Sequence, residues 1–100
     1  MNAVNEESII LAHTRIQPHI HRTPLFTSRF LNEYLESELY FKCENFQMTG
    51  SFKVRGATNS ILKLDEKILE KGVATHSSGN HAQAIAYAAK MAKVAATVVM

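Results

Sequence analysis

One cysteine, Cys43, is all the sequence holds, so no internal disulfide can form, and a lone thiol fits a reducing cytoplasm. In "LYFKCEN" that thiol reads as a small buried strand residue rather than a nucleophile. Glycine is equally scarce, and the four present form neither GxxxxGK[ST] nor GxGxxG, so no phosphate loop of those types is available. Long apolar runs are missing too. Nothing approaches the roughly 18 residues of a membrane span, and the N-terminal "MNAVNEESIILA" is acidic where a signal peptide is basic. Nor is there a surplus of one charge. Eleven Lys and Arg against nine Asp and Glu leave +2, spread without blocks, which argues against nucleic acid as a partner.

What remains is an ordinary globular composition, 46% hydrophobic and 20% charged, in a length that allows at most one small domain. Asn5 or Ser8 is placed to cap a first helix with Ile9, Ala12, Ile16 and Ile20 on one face. Pro18 should disturb its last turn, and "HRTPL" should be extended. Ser28 fits the cap of a short helix, "RFLNEYLE", and the alternating "ELYFKCEN" reads as a strand. "QMTG" reads as a turn. Ser51 is expected to cap a helix reaching about Leu64, with Phe52, Ala57, Ile61 and Leu64 on one side. Charged "DEKILEKG" closes at Gly72, "VATHS" is a strand, "GNHAQAIAYAAKMAK" a small-residue helix and "AATVVM" a further strand.

Strand, helix, strand, helix, strand predicts an α/β fold with a parallel sheet, in which ligands sit where strands hand over to helices. "TGSFKVRGA" (Thr49 to Ala57) and "HSSGNHAQA" (His76 to Ala84) both fall at such handovers. The chain stops at Met100 within an apolar run that needs neighbours, so it is expected to be the N-terminal piece of something longer.

Lys53 would stand in the first turn of its helix, facing the positive end of the dipole, with Phe52 and Val54 as apolar cover and Arg55 nearby. Those surroundings favour the neutral amine that attacks a carbonyl carbon, although a plain surface lysine satisfies the same pattern. In "SSGNHAQA", Gly79 permits a tight turn, and the following amides with Ser77, Ser78 and Asn80 can form a nest for a carboxylate. Ser78 and Asn80 would equally serve as simple helix caps.

Taken together, "S-F-K-x-R-G-A" and "S-S-G-N-H-A-Q" resemble the pyridoxal-phosphate enzymes of the tryptophan synthase β-like fold. Within that group they are most similar to serine/threonine dehydratases, serine racemases and 3-hydroxyaspartate dehydratases. The likeness runs from about Ile16 through "TPLFTSRFLN" to Met100. It implies an N-terminal portion, residues 1–100, of a three-layer, mainly parallel catalytic domain. It also implies a water-eliminating ammonia-lyase acting on serine, threonine or 3-hydroxyaspartate. By the same resemblance Lys53 would hold the cofactor aldehyde and handle the substrate Cα proton. Phe52 would pack beside the cofactor ring, and Asn80 would hydrogen-bond its 3′ oxygen. Ser77, Ser78, Asn80 and His81 would grip the substrate carboxylate. Arg55 and Gly56 look structural.

Many threonine dehydratases resemble "S-A-G-N-H" at this point, whereas racemases and hydroxyaspartate dehydratases look like "S-S-G-N-H", as here. Ser78 could therefore deliver a proton from the face opposite Lys53, which keeps a serine or aspartate racemase as the alternative. Met48 stands where animal serine racemases look to carry a nucleotide-contacting lysine, and Arg29 replaces a small polar residue, so nucleotide activation is not expected. His13, His19 and His21 have no metal-ligand spacing. The resemblance places the phosphate loop and divalent-cation ligands beyond Met100, and implies a cytoplasmic homodimer at full length. The 100-residue piece alone is expected to be inactive. Two readings from other classes stand beside the enzyme: a non-catalytic binding module, and a nucleotide-binding α/β domain, which the missing phosphate loop disfavours.

Overall fold

The structure, a computed structural model, describes residues 3–100. Asn5 and Ser8 both cap helix α1 (Glu6–Ile16): the Ser8 amide donates to Asn5 Oδ1 at 2.8 Å, and the Asn5 amide to Ser8 Oγ at 3.1 Å. This reciprocal box satisfies two amides that the first turn leaves without partners. Pro18 ends the regular helix as expected, and Gln17–His19 continues as a 3-10 turn. Of the anticipated apolar face, Ile16 is buried and Ile20 partly so, while Ile9 is exposed.

Strand β1 (Leu25–Phe26) follows Pro24, and Ser28 caps α2 (Arg29–Leu35) by accepting from the Leu31 amide at 3.3 Å. Strand β2 (Phe41–Lys42) is shorter than its alternating pattern suggests and pairs antiparallel with β1. The expected parallel series is corrected here. The aromatic segment finds its partner in the extended stretch after Pro24, not in the later strands, because two 3-10 turns (Glu44–Phe46 and Met48–Gly50) lead the chain away from it. Cys43 lies just past β2, half-buried, with its thiol toward the Phe41 carbonyl, and is not a buried strand residue.

Helix α3 (Lys53–Leu62) begins without a side-chain cap. Ser51, expected in that role, is buried with its hydroxyl unpaired, and Phe52 occupies the cap position. Phe52 has helical dihedrals, but two residues before Val54 it lies about 200° round the axis from it, opposite the apolar face, and is exposed. Val54, Ala57, Thr58 and Ile61 form that face instead. It packs on Ala84, Ala88 and Ala89 of α5 (Asn80–Ala92), where alanines let the two helices approach closely.

Between them run α4 (Glu66–Leu69) and strand β3 (Val73–His76), which pairs parallel with β4 (Ala96–Val99) in the register Val73–Ala96 to His76–Val99. β3–α5–β4 is thus the parallel unit that the sequence pattern announces. Gly72 joins α4 to β3 at φ +80°, where a Cβ would stand 2.9 Å from the Ala95 carbonyl oxygen. Left-handed backbone and a backbone clash act together, so Gly72→Ala should destabilise the protein by about 2 kcal/mol, read as a lower denaturation midpoint. Unchanged stability would mean the α4–β3 connection relaxes freely. No helix among the described residues is long and apolar enough to cross a membrane.

Candidate functional site

Two packed helices carry the two motifs. The chain reaches α3 through Thr49 and Gly50, both left-handed at φ 62° and 74°. A threonine in that region is strained by about 1 kcal/mol, and such strain concentrates where geometry is being imposed. Immediately afterwards Phe52 and Lys53 are exposed, with Lys53 Nζ 5.3 Å from the centre of the Phe52 ring. This lysine starts the helix but does not follow a strand, which corrects the expected strand-to-helix handover at that motif.

At the second motif the handover is real, since β3 ends at His76 and α5 opens at Asn80. Ser77 is tied to the sheet by its amide, which donates to the Val99 carbonyl at 3.0 Å. Its hydroxyl accepts from the amides of Gly79 and Ala82, each at 3.3 Å. A helix start leaves four amides without partners, and Ser77 takes two of them. Among the described residues no acceptor meets the amides of Asn80 and His81. Capping therefore falls to Ser77, not to Ser78 or Asn80. Ser78, Asn80 and His81 are all exposed.

Behind α3 stands a polar frame that sequence reasoning largely missed. Arg55 grips Glu44 with two parallel bonds, Nε to Oε2 at 2.8 Å and Nη2 to Oε1 at 2.7 Å, and Thr23 Oγ1 donates to Glu44 Oε1 at 2.6 Å. The Arg55 side chain thus orients the helix start by fastening it to the turn after β2. Hydrogen bonding from Arg55, aided by Thr23 and by the charges of Arg55 and Lys42, outweighs burial and lowers the Glu44 carboxyl to about 2 from its ordinary 4.5. The same bond raises Arg55. A depressed folded-state value stabilises above the unfolded one and is lost as pH falls through the folded one. Between pH 4.5 and about 2 the wild type should therefore lose about 1–2 kcal/mol relative to Glu44→Gln, after allowing for solvent screening. Paired urea titrations of the two proteins across that range check it; parallel pH profiles would remove Glu44 from the account.

Gln47, only 4% exposed, is the second missed residue. Its Oε1 accepts from the amides of His21 and Met48, at 2.9 and 2.8 Å, and its Nε2 donates to the His21 carbonyl at 2.8 Å. It clamps the extended segment before Pro24 to the turn leading into α3. No local signal in "NFQMTG" announces a partner 26 residues away.

An exposed amine beside an exposed aromatic ring thus stands on one helix of an α/β protein, packed against a second helix whose start offers free amides. The chain belongs to the family of pyridoxal-phosphate dependent enzymes, whose model matches residues 16–100. It is 56% identical over 94 residues to the beta-hydroxyaspartate dehydratase of Paracoccus denitrificans, covering 94% of this chain and 30% of that protein. To the serine racemase of Dictyostelium discoideum it is 55% identical over its whole length, 31% of that protein. The solved structure of maize serine racemase superposes with a TM-score of 0.92 at 48% identity, over 97% of this chain and 30% of that one. The fold is thus that of the tryptophan synthase β-like group, and the chain spans about 30% of the length of the relatives it matches.

Proposed function

We propose that these residues are the N-terminal part of a longer lyase that eliminates water from a β-hydroxy amino acid, releasing a 2-oxo acid and ammonia. One observation carries this reading: "SFKVRGA" and "SSGNHAQ" sit on two packed helices of a chain 56% identical to a beta-hydroxyaspartate dehydratase. The donor set suits the family's cofactor. Lys53 has the amine to hold it, Phe52 an exposed ring to pack on it, and Asn80 a carboxamide for its ring oxygen. When bound, pyridoxal phosphate supplies an electron sink that stabilises negative charge at the substrate Cα.

The chain's own residues do the rest. Lys53 Nζ takes the Cα proton. The amides of Asn80 and His81, with the Ser78 hydroxyl, receive the substrate carboxylate at the positive end of α5. Ser77 fixes the mouth of α5 by accepting from the Gly79 and Ala82 amides, and its hydroxyl proton remains available to donate to the same carboxylate. A second reading, racemisation, is favoured by one feature: the Ser78 hydroxyl is exposed and free of capping duty, hence able to return a proton from the opposite face.

The remaining elements of the proposal are a cytoplasmic homodimer, with the cofactor-phosphate loop and any divalent-cation ligands supplied by residues outside this chain. The abundant exposed apolar side chains around β1, α2 and β2, such as Phe26, Phe30 and Phe41, fit a piece that packs on further structure. The test is to incubate full-length protein with L-serine, L-threonine and 3-hydroxyaspartate, following oxo-acid release and enantiomer exchange. Oxo acid from one of the three supports the lyase, exchange without elimination the racemase. Neither product in cofactor-loaded protein rejects both.

A further inference from the structure

The three histidines near Pro18 take no part in the chemistry above, yet two of them meet at one place. His13, at the end of α1, and His21 line an open pocket of about 750 Å³ together with Arg22, Lys42 and Arg55. Three permanent cations and two imidazoles thus face one carboxylate, Glu44. Both oxygens of that carboxylate are taken by Arg55 and Thr23, and its single charge is shared between Arg55 and Lys42, so the pocket keeps an excess of positive charge with Arg22 unpaired by it.

We propose that this pocket binds a phosphate group, free or carried on a small organic molecule, at a site separate from the start of α5. Lys42 is already oriented, its ammonium donating to the Thr23 carbonyl at 2.7 Å, with two further donors left for a ligand. His21 is likewise held, Nδ1 lying 3.2 Å from the Phe46 carbonyl. Little order has to be imposed on these groups when an anion arrives. Ile20 and Phe52 supply apolar walls, which strengthen charge interactions beside them and leave room for an organic body. The size falls within the range of small-molecule sites. Because Phe52 borders both this pocket and Lys53, a bound anion would be felt at the amine's neighbour.

Neither Lys53 nor the α5 start lines the pocket, so the site stands or falls independently of the proposed reaction. The test uses full-length protein already loaded with its cofactor, which keeps the cofactor's own phosphate site occupied. Inorganic phosphate and glycerol 3-phosphate are titrated by calorimetry. The expected result is one saturable site, weakened at least tenfold by Arg22→Glu or His13→Glu and unchanged by Ser77→Ala. Saturation by inorganic phosphate identifies a free-anion site; saturation by glycerol 3-phosphate alone identifies an organic phosphate. The proposal is overturned if neither probe saturates, if both charge variants bind as the wild type does, or if Ser77→Ala abolishes binding.

Discussion

On the proposed lyase reaction, Lys53→Ala in the full-length protein should lower turnover of a β-hydroxy amino acid by about a thousandfold or more, while the fold survives intact. The size follows from losing the group to which the proposal gives both the hold on the cofactor and the transfer of the Cα proton. The intact fold follows from position. Lys53 is exposed and borders no core residue's cavity; as a cation at the positive end of α3 it gains nothing from the dipole. Removing it should leave the thermal stability of the cofactor-free protein unchanged or a few tenths of a kcal/mol higher. That combination, silent in stability and severe in rate, is what a functional lysine gives and a structural one does not. Borohydride reduction of the loaded wild type, followed by peptide mapping, should place the label on Lys53. Retention of a tenth or more of wild-type turnover, or a label on another lysine, would discard the site.

A second large effect is expected at Ser78. Because Ser77 does the capping, Ser78→Ala should leave the α5 start in place and the melting curve unmoved. If Ser78 returns the proton on the opposite face, enantiomer exchange should fall about a hundredfold or more, with elimination kept within about tenfold. Equal losses in both reactions would instead make Ser78 a carboxylate ligand alone. Ser77→Ala offers the contrast. It frees two amides at once, so it should weaken substrate binding in both reactions and lower stability by about 1 kcal/mol.

How much of this the residues disclose depends on how local each interaction is. The β3–α5–β4 unit is legible because strand alternation, a Gly79 turn and an alanine-rich helix all lie within one stretch. Lys53 and Ser77 to His81 could be singled out by motif, though the sequence could not say which serine caps. That was decided by Ser77 being bound to β4, a fact of the sheet register. The role of β2 was misread because its alternation says that it pairs and not with what. Gln47 and the Glu44–Arg55 pair were invisible or nearly so, since each joins segments 11 to 26 residues apart and no periodicity marks them. Phe52 lies off the apolar face, because the face is set by Val54, Ala57, Thr58 and Ile61 and the helical angle carries Phe52 to the other side.

Ser77 is fastened at two points, its amide to the last residue of β4 and its oxygen to the mouth of α5. The connection consequently has no slack. An extra residue inserted between Ser77 and Asn80 would pull the Gly79 and Ala82 amides off the Ser77 oxygen while β4 still holds the Ser77 backbone, leaving the mouth of α5 uncapped. Length in this link should thus tolerate no variation.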